Sequence, residues 1–148
     1  MKTKLYFAYG ANMHVGYMRK NCPTIETGPA AIACKKMELQ NWELKFYSHA
    51  TVVSNPNASV PGILWRITEE CELLLDAYES YPDYYTKRNW QQDGLEFFFY
   101  EMTPEFYKGK PAYKYVANMI ESYNKWDIDP GPLMEVLNET THRPSDQL

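Results

Sequence analysis

The sequence is poor in cysteine and glycine, and it carries no run of like charge. Its three cysteines, Cys22, Cys34 and Cys71, have neither CxxC spacing nor an even count. That pattern argues against a disulfide framework and predicts reduced, buried thiols. The seven glycines form neither GxGxxG nor GxxxxGK[ST], so no nucleotide-binding fingerprint is present. No G-x-S-x-G elbow occurs, and His14, His49 and His142 lack HExxH or zinc-finger spacing. Each histidine reads as an isolated surface or loop residue, and no metal or cofactor is expected. No apolar run approaches the ~18 residues of a membrane span. The start, Met1-Lys2-Thr3-Lys4, enters a strand-like segment with no cleavage signal, so a cytoplasmic protein is expected. Fifteen basic and nineteen acidic side chains are dispersed along the chain. Lys35-Lys36 and Lys108 with Lys110 are too short to form the basic surface that nucleic acid requires.

What the chain does have is aromatic side chains, 16% of 148 residues, thirteen of them tyrosine. The length fits one domain with a substantial core. The expected domain spans residues 1–140, and the polar tail 141–148 is expected to fray. Strand-like runs occur at Leu5–Tyr9, Ala30–Lys36, Glu43–Tyr47, Thr51–Ser54, Gly62–Ile67, Tyr85–Trp90 and Glu96–Met102. Asn55-Pro56-Asn57 predicts a turn, and Asp93-Gly94 predicts a hairpin. Helical patterns cover about 13–22, 68–80, 112–125 and 132–139. Strands outnumber helices and cluster in mid-chain. The expected class is therefore α+β, a mixed sheet or small β-barrel with packed helices.

Two stretches carry chemistry. In Leu5-Tyr6-Phe7-Ala8-Tyr9-Gly10-Ala11-Asn12 a buried strand stops at a glycine and gives way to a helix. Such a turn leaves backbone N–H groups unpaired and converging, which suits a small anion or a developing negative charge. Gly10 removes the Cβ that would hold a ligand off the backbone, and it permits positive φ if the turn needs it. The second stretch is the helix from Thr68, whose Cys71, Leu74, Leu75 and Tyr78 recur as a buried stripe. Glu72 and Asp76 point away from that stripe, whereas Glu79 lies roughly 40° from Leu75, at its margin. Glu79 also sits at the carbonyl end of the helix. Partial desolvation and the helix dipole both raise its pKa, toward the 6–7 that suits a general base.

The words Tyr6-Phe7-Ala8-Tyr9-Gly10-Ala11-Asn12-Met13 resemble the N-terminal signature of the gamma-glutamylcyclotransferase-like family, which includes gamma-glutamylamine and butirosin-biosynthesis cyclotransferases. That signature is usually tyrosine-glycine-serine-asparagine followed by leucine or methionine, and Ala11 stands where serine is common. Gly62–Ile67, then Leu75-Asp76-Ala77-Tyr78-Glu79-Ser80, then Tyr85-Thr86-Lys87-Arg88 resemble the second half of the same pattern. There a glycine-led strand precedes a helix ending in leucine-aspartate-x-x-glutamate-glycine. The resemblance places the family's catalytic glutamate on Glu79, with Ser80 in place of glycine. Pro111 followed by Tyr115 resembles the family's late substrate-contacting tyrosine, with Tyr113 as the competing assignment.

The resemblance implies a cofactor-independent cyclotransferase acting on a small-molecule gamma-glutamyl substrate. In such enzymes the substrate's α-amine attacks its own γ-carbonyl and releases 5-oxoproline with a free amine or amino acid. Glu79 would be the acid/base. Tyr9, Gly10, Ala11, Asn12 and Tyr115 would bind substrate, with aromatics of Tyr81-Pro82-Asp83-Tyr84-Tyr85 as further walls. A repurposed or inactive metabolite-binding relative is the alternative. An RNA-recognition module is a poorer reading, because Leu95–Glu101 has acidic flanks and lacks the basic-glycine start of such a motif. The leaving group and the oligomeric state stay open.

Overall fold

The computed structural model describes residues 2–23 and 31–143. The expected strand at Ala30–Lys36 begins one residue outside that range, and most of the expected tail lies beyond it. Five strands form one sheet: β1 (Thr3–Ala8), β2 (Ala31–Phe46), β3 (Ala50–Thr68), β4 (Tyr85–Gln92) and β5 (Leu95–Met102). Four α-helices accompany it among the described residues: α1 (Val15–Asn21), α2 (Glu69–Tyr78), α3 (Tyr113–Lys125) and α4 (Gly131–Thr141). The strand order is β2-β3-β1-β5-β4, with β1 antiparallel to β3 and parallel to β5. The α+β class with a mixed sheet is therefore observed.

The sheet is not a closed barrel. Its two edge strands meet through side chains instead of a backbone ladder. Gln92 on β4 accepts from the Gln40 N–H of β2 at 2.8 Å and donates to the Glu38 carbonyl at 2.9 Å. Beside that bridge Trp42 packs edge-on against Trp90 and Phe99. The curl wraps the sheet around Phe7, Phe46, Ile63, Leu64, Ile67, Phe99 and Met102, all fully buried.

Four expected mid-chain strands merge into two long ones. Asn55-Pro56-Asn57 does make a local turn, with Asn55 Oδ1 accepting from the Asn57 N–H at 2.9 Å. It does not reverse the chain. Ladder pairing runs from Trp42↔Ser54 to Gln40↔Ser59, so the polar segment is extruded as a bulge opposite Asn41, whose φ is 72°. The Asp93-Gly94 hairpin forms as expected, both residues at positive φ (53° and 78°) between Gln92 and Leu95. Gly62 sits within β3 because a Cβ there would lie 2.5 Å from the Ala8 carbonyl oxygen and from the Phe7 ring. Only glycine lets β1 lie this close.

Two expectations are overturned. Cys22 and Cys71 form a disulfide between the end of α1 and the first turn of α2, their Cα atoms 5.0 Å apart. An odd cysteine count does not prevent one pair, and 49 residues of separation vanish once the two helices pack. Cys34 alone is a free thiol, and it is exposed. The second correction concerns α2. Cys71 and Leu75 are buried, but Leu74 and Tyr78 are 46% and 47% exposed. Glu72 and Asp76, expected to point away from the apolar stripe, pack on Lys87 of β4, with Nζ 2.7 Å from Glu72 and 2.8 Å from Asp76. The buried arc is turned by about 80° from the apolar stripe, because an ion-paired flank replaces an apolar one. Glu79 lies near the middle of that arc.

Candidate active site

Strand β1 delivers Tyr9 and Gly10 to the top of the sheet, where a single 3-10 turn, Ala11–Met13, leads into α1. Gly10 has φ −120°, so positive φ is not why glycine stands there. The reason is space. A Cβ at Gly10 would lie 3.0 Å from the Tyr115 hydroxyl, which accepts a hydrogen bond from the Ala50 N–H at 3.1 Å.

The loop's backbone is heavily committed. The Trp65 indole N–H donates to the Asn12 carbonyl at 3.1 Å, Asn118 to the Ala11 carbonyl at 3.3 Å, and Trp126 to the Met13 carbonyl at 2.7 Å. The Met13 and His14 N–H groups close the 3-10 turn onto the Gly10 and Ala11 carbonyls. Among the described residues the N–H groups of Ala11 and Asn12 have no protein acceptor, as the first donors of a helical turn lack one. The Asn12 side chain is held between Asn21 (2.8 Å) and the Tyr6 hydroxyl (3.3 Å). This anchoring makes the loop rigid. Asn118 and Trp126 carried no motif that could have marked them in the sequence, and Trp65 lay within the glycine-led strand Gly62–Ile67 without being singled out.

Glu79 reaches the same place from α2. The helix ends with Glu79 as its cap residue and Ser80 in the left-handed region at φ 51°. Tyr81 N–H bonds to the Asp76 carbonyl at 2.9 Å and Ser80 N–H to the Ala77 carbonyl at 3.2 Å. This is the paired-bond cap that glycine normally serves, and it forms here with serine. Below it, Asp76 accepts from the Tyr100 hydroxyl at 2.7 Å as well as from Lys87, so the last turn is fastened to β4 and β5.

One cavity of about 260 Å³ joins these parts. Gly10, Ala11 and Asn12 line one side and Glu79 with Ser80 another; Tyr6, Tyr9, Tyr85, Tyr100 and Tyr115 are among the residues that line the rest. Its volume is just below the ~300–1,000 Å³ of drug-sized pockets and fits a small metabolite. A wider depression of about 790 Å³ over Lys4, Arg66, Trp90 and Phe97 encloses no buried carboxyl group. The chemistry therefore points to the smaller cavity.

Glu79 keeps some accessible surface because the cavity is open, but protein atoms crowd its carboxyl, and burial pushes its pKa up to about 8. No cation among the described residues lines the cavity to offset the cost, so the rise exceeds the range expected from sequence. The surrounding phenols are also displaced upward by burial, with the Glu79 carboxylate adding to the effect at Tyr6, Tyr9 and Tyr115. They stay protonated near neutral pH. Tyr9 donates to the Tyr100 carbonyl, Tyr85 to the Ala50 carbonyl and Tyr100 to Asp76. The Tyr6 and Tyr115 hydroxyls accept protein hydrogen bonds and keep their own protons to donate. Burial holds His49 below its usual value, so it is neutral there.

Every residue singled out from sequence, Glu79, Tyr9, Gly10, Ala11, Asn12 and Tyr115, borders this cavity. Tyr113, the rival to Tyr115, is 86% exposed and does not. Tyr84 and Tyr85 line it, whereas Tyr81 does not; its ring covers the Lys87 ammonium at 4.7 Å. Among the histidines, His14 caps α1 and approaches Glu121 at 3.5 Å. His49, expected to be an isolated loop residue, borders the cavity and was missed because nothing adjacent in sequence marks it.

The family model for gamma-glutamyl cyclotransferase, AIG2-like, matches residues 6–127. The chain belongs to this family. A solved structure titled gamma-glutamyl cyclotransferase is similar at 19% identity, covering 99% of this chain and 91% of that one, with TM-score 0.72. An uncharacterized human protein is similar at 21% identity, covering 100% and 92%, also with TM-score 0.72. A yeast gamma-glutamyl cyclotransferase titled as specific to glutathione is similar at 13% identity, covering 95% and 100%, with TM-score 0.55. At such identities the neighbours share the gamma-glutamyl cyclotransferase fold. No curated protein matches the sequence itself. Among the described residues no helix is long and apolar enough to cross a membrane.

Proposed function

We propose that this family member is an active gamma-glutamyl cyclotransferase that releases 5-oxoproline and a free amine without a cofactor. The observation that carries the reading is the buried Glu79 carboxyl, with pKa about 8, sharing one small cavity with the Gly10–Asn12 loop.

The substrate's α-ammonium enters beside Glu79, and its charge draws the carboxyl into its ionised form. The carboxylate then takes one proton, freeing the amine lone pair. That nitrogen attacks the γ-carbonyl carbon, a C–N bond closes the five-membered ring, and negative charge moves to the carbonyl oxygen. The N–H groups of Ala11 and Asn12 meet this oxygen or the substrate's α-carboxylate; one such donor is commonly worth ~10²–10³ in rate. Collapse breaks the bond to the leaving nitrogen, which receives the proton from Glu79, and the carboxylate so regenerated takes the second proton from the ring nitrogen to leave the neutral lactam. Because nucleophile and electrophile are one molecule, the cavity's main task is to fold the glutamyl chain onto itself. Tyr9 and Tyr115 supply its walls, and the Tyr115 hydroxyl, which accepts from the Ala50 N–H, keeps its own proton to donate. Ala11 in place of serine is compatible with this scheme, since the residue acts through its backbone.

The test is release of 5-oxoproline from a panel of gamma-glutamyl amines and dipeptides, by the purified protein and by Glu79→Gln. Stoichiometric 5-oxoproline and amine from at least one member, abolished in a folded Glu79→Gln, supports the reading. No turnover across the panel supports the alternative of a binding relative, and full activity in Glu79→Gln removes the carboxylate from the mechanism.

A further inference from the structure

The gamma-glutamyl half of any substrate is accounted for by Glu79 and the Gly10–Asn12 loop, but the leaving half must lie toward the mouth of the cavity. Two side chains from different parts of the chain meet there. His49 stands on the tight connection between β2 and β3, and Tyr84 on the connection from α2 to β4. His49 Nδ1 and the Tyr84 hydroxyl are 2.7 Å apart. His49 also meets Tyr115 edge-on, with ring centroids 5.1 Å apart, so the pair continues directly from the deep wall of the cavity.

Both members are held in place. The Tyr47 N–H donates to the His49 carbonyl at 3.0 Å, and the Ser48 N–H donates to the Lys108 carbonyl at 3.1 Å. The Tyr84 ring packs on Tyr85 and Phe106. Whichever way the shared proton points, Nδ1 is occupied, and Nε2 has no protein partner among the described residues. Tyr78, 47% exposed, adds a further ring to the cavity lining. No lysine or arginine among the described residues lines this cavity.

We propose that the His49–Tyr84 pair is the specificity-determining element for the leaving amine, and that it selects amines with an aromatic or extended apolar body. The inference rests on the cyclotransferase reading above and deepens it. A leaving group of that kind lays its body against the imidazole and phenol rings, and Nε2 is free to meet a polar atom on it. The gain comes from ring contact, and aromatic pairs of this sort are worth about two- to tenfold in relative affinity.

The experiment compares kcat/KM for gamma-glutamyl-benzylamide and gamma-glutamyl-methylamide in the unaltered protein, His49→Ala and Tyr84→Leu, with thermal unfolding to verify folding. The expected result is a preference of about tenfold or more for the benzylamide, reduced about two- to tenfold in each variant. Tyr84→Leu removes the phenol ring and keeps an apolar side chain, so it decides the matter if His49→Ala fails to fold. A preference that both variants retain in full, or an unaltered protein that favours the methylamide, overturns the inference while leaving the cyclotransferase reading standing. If neither amide yields 5-oxoproline, the cyclotransferase reading fails on these probes, and the inference falls with it.

Discussion

Replacing Glu79 by glutamine isolates the energetic cost of burying this carboxyl from its chemistry. In the unfolded chain the group has an ordinary pKa near 4.5, and in the fold it is raised to about 8 by burial. The protonated form is therefore favoured in the native state. The stability that protonation provides is fully present below pH 4.5 and is lost progressively as pH rises to 8, levelling off above. Each unit of the interval is worth about 1.4 kcal/mol, so the full loss is on the order of 4–5 kcal/mol, an upper figure for a carboxyl facing an open cavity. Glutamine cannot ionise and escapes the loss. Urea unfolding of both proteins at half-unit steps from pH 4.5 to 9 should give nearly equal stabilities at the acid end. The gap should widen in favour of Glu79→Gln up to about pH 8 and stay constant beyond. A gap that is flat across the range, or that favours the parent at pH 8, would refute the claim that Glu79 is desolvated and without a compensating cation.

Other consequences follow from neighbouring residues. Ser80→Gly relieves a left-handed backbone position and should raise stability by about 1 kcal/mol, seen as a higher unfolding midpoint with activity retained. Gly10→Ala places a methyl group 3.0 Å from the Tyr115 hydroxyl, and should cut kcat/KM on the order of a hundredfold while the protein remains folded. Reducing the Cys22–Cys71 disulfide, which closes a 49-residue separation, should cost about 4 kcal/mol. A dithiol should lower the parent's unfolding midpoint and leave Cys22→Ser/Cys71→Ser unchanged. Thiol titration of the native protein should find one reactive group, Cys34.

The strands, the hairpin at Asp93-Gly94 and all four helices were legible in the sequence because apolar period and turn residues agree there. Merging of the mid-chain strands was not, since Asn55-Pro56-Asn57 has the composition of a chain reversal yet is accommodated as a bulge by the ladder on either side. The rotation of α2 was hidden for a different reason. Hydrophobic periodicity cannot register that Lys87, eleven residues after Asp76, makes an acidic flank buriable. The same limit concealed the disulfide and the His49–Tyr84 contact, both products of packing between remote segments. The site's glutamate and loop could be singled out from helix position and turn chemistry, but the family words that contain them set them apart, because a helix-end glutamate and a glycine turn are individually commonplace.

The measurement that bears most directly on the central claim is the pH dependence of kcat/KM for 5-oxoproline release. With Glu79 ionisation required in the free enzyme, the acid limb should rise with unit slope and bend near pH 8. A limb that bends below pH 5, at an ordinary carboxyl value, would contradict a buried glutamate as the group that moves the substrate's proton.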